Sequence, residues 1–161
     1  MNRPFTVFII EDDMHLQHML IDFFHDKFPD IEIKTFTTGE QALLHIDEHT
    51  HLIILDYFLN VHDEHAMDGL AILARVRELD KTIRVVLFSG QSDPEVAAQA
   101  IKMGAYDYVA KNTQSFEKLE AVIAHLKRHF IIETPAFNKK LFTILMIGIL
   151  LIAALFYLTR K

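Results

Sequence analysis

Cysteine is absent from the 161-residue chain, which excludes disulfides, thiolate metal sites and cysteine nucleophiles. That absence suits a reducing compartment. Basic residues are scarce over most of the length. The chain has 22 acids against 16 lysines and arginines, and every acid lies at or before Glu133. Four of the basic residues (Lys139, Lys140, Arg160 and Lys161) flank a C-terminal apolar run, so the rest of the chain is strongly acidic. Such a body is unsuited to nucleic acid, whose nonspecific binding depends on neutralising phosphates with Lys and Arg. No internal repeat or low-complexity segment interrupts it. Residues 5–10 are too short for the core of a signal peptide and are followed at once by acids. Charge is missing altogether from residues 141–158.

The first 130 residues alternate short apolar runs with longer amphipathic ones. Residues 5–10, 31–36, 52–55, 83–88 and 106–109 read as strands, several of them continuously apolar, as parallel strands buried on both faces are. Helical stripes lie between them: Leu16, Leu20 and Phe23; Leu70, Leu73, Val76 and Arg77; Phe116, Leu119, Ile123, Leu126 and Phe130. Thr38 before Gly39-Glu40-Gln41, and Ser92 or Asp93 before Pro94, are helix starts. Gly104 is placed to end the fourth helix. Five strands alternating with five helices predict a doubly wound α/β domain, with functional loops at the carboxyl ends of its strands.

Those ends carry Glu11, Asp12 and Asp13 after the first strand, Asp56 after the third, Ser89 after the fourth and Lys111 shortly after the fifth. Carboxylates gathered in one pocket repel unless a cation compensates. A hard divalent ion such as Mg²⁺ suits an all-oxygen ligand set and keeps waters that a phosphate can replace. An aspartate is also a competent nucleophile towards phosphorus. Alone, Asp56 reads more readily as a turn former than as a reactive group; the company it keeps reverses that.

The sequence resembles two-component response-regulator receiver domains over about residues 4–130. FIIEDD resembles the family's acid-pair opening, LIILDYFL its phosphoacceptor strand, VVLFSG its hydroxyl-bearing strand end, and GAYDYVAK its Gly-Ala step followed by an aromatic and a lysine. The resemblance implies a flavodoxin-like, CheY-like parallel sheet of order 2-1-3-4-5. It implies Mg²⁺ held by Glu11, Asp12, Asp56 and the backbone carbonyl of Phe58, with Asp56 taking a phosphoryl group. Lys111 and Ser89 would contact that group, and Ser89 and Tyr108 would form a switch acting on the face of helix four, strand five and helix five. The implied partners are a sensor histidine kinase or histidine phosphotransfer protein, a downstream protein and, through that face, a second copy. The chain is expected to catalyse only its own phosphorylation and dephosphorylation. Competing readings are a phosphorylation-independent interaction module and an aspartate-nucleophile phosphatase; the second ranks last because Phe58 stands where its general acid is expected.

Two departures from the family stand out: Asn112 follows the lysine where proline is usual, and residues 60–65 lengthen the loop after Asp56. His62 and His65 in that loop read as polar surface rather than metal ligands, as do His45, His49 and His51 around a helix end. Residues 131–140 read as a linker interrupted by Pro135. Residues 141–158 read as a single transmembrane helix of roughly 27 Å, followed by a basic tail, 159–161. The excess of lysine and arginine before the run predicts a cytoplasmic receiver on a C-terminal membrane anchor. No GxxxG pattern is present in the span.

Overall fold

Strand burial explains why the apolar runs do not alternate. The computed structural model describes residues 4–59, 66–90, 93–133 and 147. The elements are β1 (Phe5–Ile10), α1 (Met14–Lys27), β2 (Ile31–Phe36), α2 (Gly39–Leu43), β3 (Thr50–Asp56), α3 (Gly69–Leu79), β4 (Arg84–Ser89), α4 (Pro94–Lys102), β5 (Asp107–Ala110) and α5 (Ser115–Glu133). All strand pairings are parallel, in the order β2-β1-β3-β4-β5, as expected. Every residue of β1 is buried. Successive side chains go to opposite faces: Val7, Ile9 and Ile54 pack with Leu20, Phe24 and Leu119 under α1 and α5. Phe8, Ile10, Ile53 and Leu55 pack with Ile72 and Val76 on the other face.

Side-chain caps start the helices. Asp13, Thr38, Asp68 and Asp93 each accept amide hydrogen bonds from the first turn that follows; the fourth helix thus starts at Asp93. It stops at Gly104, whose φ of +96° suits a residue without Cβ, and Arg77 Nε donates to the Gly104 carbonyl at 3.0 Å.

Several details differ from the sequence pattern. β3 begins at Thr50 and ends on Asp56, and β4 ends on Ser89, so both residues close their strands instead of following them. β5 starts one residue later than expected, at Asp107. The buried face of α1 centres on Gln17, Leu20 and Phe24. α5 continues to Glu133, three residues into the expected linker. Between β1 and β3 the register shifts at Thr6/Val7: Thr6 pairs with Thr50 and Val7 with Leu52, leaving His51 bulged. The expectation that His51 sits at the surface is corrected. Its ring stacks on Phe5 and meets the edge of Phe130.

Among the described residues no helix is long and apolar enough to cross a membrane. The anchor (141–158, apart from Ile147), residues 134–140 of the linker, the tail (159–161) and the 60–65 insertion with His62 and His65 lie outside the described residues.

Candidate functional site

The carboxyl ends of β1, β3, β4 and β5 bring the acids, the hydroxyl and the lysine together. Glu11 leaves β1 with its amide bonded to the Phe36 carbonyl at 3.0 Å, which keeps its backbone in the sheet's line. Its carboxylate is only 2 % exposed. Asp56, the last residue of β3, is 5 % exposed. Asp12 is half-buried, and carboxylate oxygens of Glu11, Asp12 and Asp56 lie within 4.8 Å of one another. Asp13 stands apart: its carboxylate caps α1 by accepting from the amides of His15 (2.8 Å) and Leu16 (3.3 Å), which hold its pKa below the ordinary value.

Lys111 enters the cluster because its backbone amide donates to the Ser89 carbonyl at 2.7 Å, tying the end of β5 to the end of β4. Its Nζ lies 2.8 Å from Glu11 Oε2 and 2.9 Å from Asp56 Oδ2, and 5.5 Å from the centre of the Phe88 ring. One ammonium thus bridges two buried carboxylates. It does not fully compensate them. Glu11 is pushed up from 4.5 to about 7, first by burial and then by the Asp56 charge, against the pull of Lys111 and the Asp13 amide. Asp56 Oδ1 is buried with no hydrogen-bond partner among the described residues, a costly state for a carboxylate oxygen. Three converging carboxylates, one with an unsatisfied oxygen, fit a hard divalent cation.

Ser89 is fully buried at the end of β4. Tyr108 is half-buried beside Pro94 and Ala97 of α4 and Lys118 of α5, in a cavity of about 370 Å³. Lys118 Nζ donates to the Tyr108 carbonyl at 2.7 Å and to Asp107 at 3.1 Å. Phe58 lies two residues past Asp56, its exposed ring edge-on to Tyr57 at 4.6 Å.

The Asn112 departure has a local explanation. Its side-chain oxygen accepts from the Gln114 amide at 2.9 Å, and its carbonyl accepts from the Ser115 amide (3.1 Å) and hydroxyl (2.8 Å). Asparagine therefore opens α5 with an acceptor that proline lacks, and no cis peptide bond occurs among the described residues.

Gln17 escaped the sequence reading. It is buried on α1, and its amide donates to the carbonyls of Glu11 (3.1 Å) and Phe36 (3.3 Å), clamping the ends of β1 and β2 where the acids begin. The 17-20-24 spacing carries the signal: a glutamine at the centre of a helical core stripe has to find buried partners. Gln17→Leu should cost about 1–3 kcal/mol in urea unfolding, because the Glu11 carbonyl loses this donor and the Phe36 carbonyl is left with the Glu11 amide alone while the volume is kept.

Residues 7–124 match the response regulator receiver domain family. Among similar proteins are the C4-dicarboxylate transport transcriptional regulatory protein DctD of Rhizobium meliloti, 26% identical over 83% of this chain and 28% of its own length, and a putative NtrX-like response regulator of Rickettsia bellii, 32% identical over 65% of this chain and 21% of its own. The chain thus spans less than a third of the length of either. The solved receiver domain of a putative LuxO repressor protein from Vibrio parahaemolyticus superposes with a TM-score of 0.67 at 26% identity, over 83% of this chain and 99% of that one.

Proposed function

Because the chain belongs to the response regulator receiver domain family, we propose that Asp56 accepts a phosphoryl group, in a Mg²⁺-dependent reaction, from a sensor histidine kinase or histidine phosphotransfer protein. The family consists of signal-receiving domains, not of enzymes that turn over a separate substrate. The observation that carries the reading is the Asp56 carboxylate, with Oδ2 against Lys111 and a buried Oδ1 that has no hydrogen-bond partner among the described residues.

Glu11, Asp12, Asp56 and the Phe58 backbone carbonyl would hold Mg²⁺, which supplies neutralisation of phosphoryl charge when bound. An Asp56 oxygen attacks phosphorus; the P–N bond of the phosphohistidine breaks, its electron pair returns to the imidazole nitrogen, and an acyl phosphate forms. Lys111 exchanges its carboxylate contacts for a phosphoryl oxygen, and the Ser89 hydroxyl donates to another. Tyr108 follows Ser89 inward and alters the face of α4, β5 and α5, through which a downstream protein or a second copy is engaged. Residues 1–133 form the receiver with the whole of α5, 134–140 the linker, 141–158 a single-pass anchor holding the receiver in the cytoplasm, and 159–161 a basic tail. The charge-free apolar run with basic residues at both ends supports the anchor.

Acetyl phosphate or a panel of histidine kinases should label the wild-type chain with Mg²⁺ and leave Asp56→Asn unlabelled. Labelling that survives in Asp56→Asn would place the acceptor elsewhere, and none in the wild type would instead favour the phosphorylation-independent module. Fractionation of the full chain beside one ending at Glu133 tests the anchor: only the full chain should sediment with membranes.

A further inference from the structure

The amino ends of the strands hold a second polar arrangement, at the opposite end of the sheet from the acidic cluster. The β1–β3 bulge leaves His51 out of the ladder, and its ring turns back towards β1. The amide of the buried Thr6 donates to His51 Nδ1 at 3.1 Å. To accept there, the ring must be neutral, with its proton on Nε2. The same ring stacks on Phe5 with centroids 5.1 Å apart, and Phe130 of α5 meets it edge-on at 4.4 Å. Phe5 and Phe130 also touch, at 5.2 Å. Three rings thus join β1, β3 and the last turns of α5.

We propose that His51 is a proton-operated latch that fastens the end of α5 to the base of the sheet. A proton taken from solvent onto Nδ1 turns the acceptor into a donor facing the buried Thr6 N–H. That hydrogen bond is lost, and two donors then oppose each other. The ring has somewhere to go, because it lines an open cavity of about 590 Å³ with Phe5, Leu126 and Phe130.

The surroundings favour the neutral, latched form. On the loop leading into β3, His45, Asp47, Glu48 and His49 are the titratable groups, and Glu48 lines the same cavity. Burial holds His51 below the ordinary histidine range and His49 adds to the effect, while hydrogen bonding at the His49 backbone and the Asp47 charge oppose it. From α5 come His125 and His129, their rings 4.5 Å apart. Across the cavity stand Lys81, Arg84 and Asp80, whose carboxylate is held by the amide and hydroxyl of Thr82. A histidine with a lowered folded pKa contributes stability that is fully present above about 6.5 and is lost as pH falls below it. The latch therefore opens on the acid side.

Amide hydrogen exchange of the full chain, read by NMR at pH 7.5 and 5.5 and corrected for intrinsic rates, tests this. The protection of Thr6 should fall severalfold at the lower pH, towards the roughly tenfold limit that one group of unfolded pKa about 6.5 can impose over this interval, while Ile9 in the middle of β1 stays protected. His51→Asn places a non-titrating oxygen near the position of Nδ1 and should hold Thr6 protection level between the two pH values. His125→Gln/His129→Gln should keep the wild-type drop. Thr6 protection that ignores pH in the wild type, or that falls as far in His51→Asn, overturns the proposal. If His51→Asn does not fold, the ¹⁵N spectrum of the wild-type imidazole decides: a proton on Nδ1 at pH 7.5 refutes the latch.

Discussion

Lys111→Met should cost the metal-free protein about 3–5 kcal/mol at pH 8, the scale for removing one partner from a buried ion pair, and far less at pH 5. The lysine is the ammonium that bridges Glu11 and Asp56, both almost fully buried. Glu11 already keeps its proton up to about 7, above the ordinary 4.5, chiefly because burial penalises its charge. An acid with a raised folded pKa contributes stability that is full below its unfolded value and is lost as pH rises through the folded one. Without Lys111 the value rises further, so the penalty grows with pH. Urea unfolding at pH 5 and pH 8, with EDTA or with saturating Mg²⁺, reads it out; the cation should restore much of the loss at pH 8 by mass action. His51 acts in the opposite direction over part of this range, so variant and wild type are compared at each pH and not along one profile. A penalty equal at both pH values would assign the loss to the lysine stem packed near Phe88.

Gly69→Ala should be comparably severe, and for steric reasons. A Cβ at Gly69 would lie 2.6 Å from the Asp56 carbonyl oxygen and 2.7 Å from Tyr57 Cα. Both are backbone atoms of the strand end that carries the acceptor, and the Gly69 amide is bonded to the Tyr57 carbonyl at 2.9 Å. Neither can retreat without moving Asp56. Overpacking of this kind costs roughly 1–3 kcal/mol and more where backbone must shift. The displaced carboxylate should also slow labelling by acetyl phosphate at least about tenfold, as small misplacements of reacting groups do. Gly90→Ala is the matched control, since an added Cβ meets nothing within 4 Å there among the described residues. It should leave stability within about 0.5 kcal/mol of wild type. Equal effects from the two substitutions would remove the steric account.

The fold was legible because the cores of β1, β3 and β4 are runs of apolar residues that only a sheet covered on both faces can bury, with the mixed strands β2 and β5 at its edges. The acids, Ser89 and Lys111 were legible because chemistry at strand ends falls within a few residues of those runs. What escaped depends on where a side chain turns in space. Gln17 lines up with Leu20 and Phe24 in the sequence, but that its partners are the carbonyls of Glu11 and Phe36 appears only in the fold. His51 sits in a polar, histidine-rich stretch, and only the register shift at Thr6/Val7 turns its ring into the core's edge. The pairing of Lys111 with Glu11 joins residues 100 positions apart, a distance no local pattern spans.

The length of α5 has a mechanical consequence. Its 19 residues make a rod of about 28 Å at 1.5 Å per residue, beginning at Ser115 against the Asn112 carbonyl and reaching Phe5 at the far end of the sheet. A rigid lever of that length, tilted by about 5° at its fulcrum, sweeps its far tip through roughly 2 Å, by the same rise per residue. A displacement too small to notice around Lys111 would thus arrive magnified at the point where the chain leaves the domain.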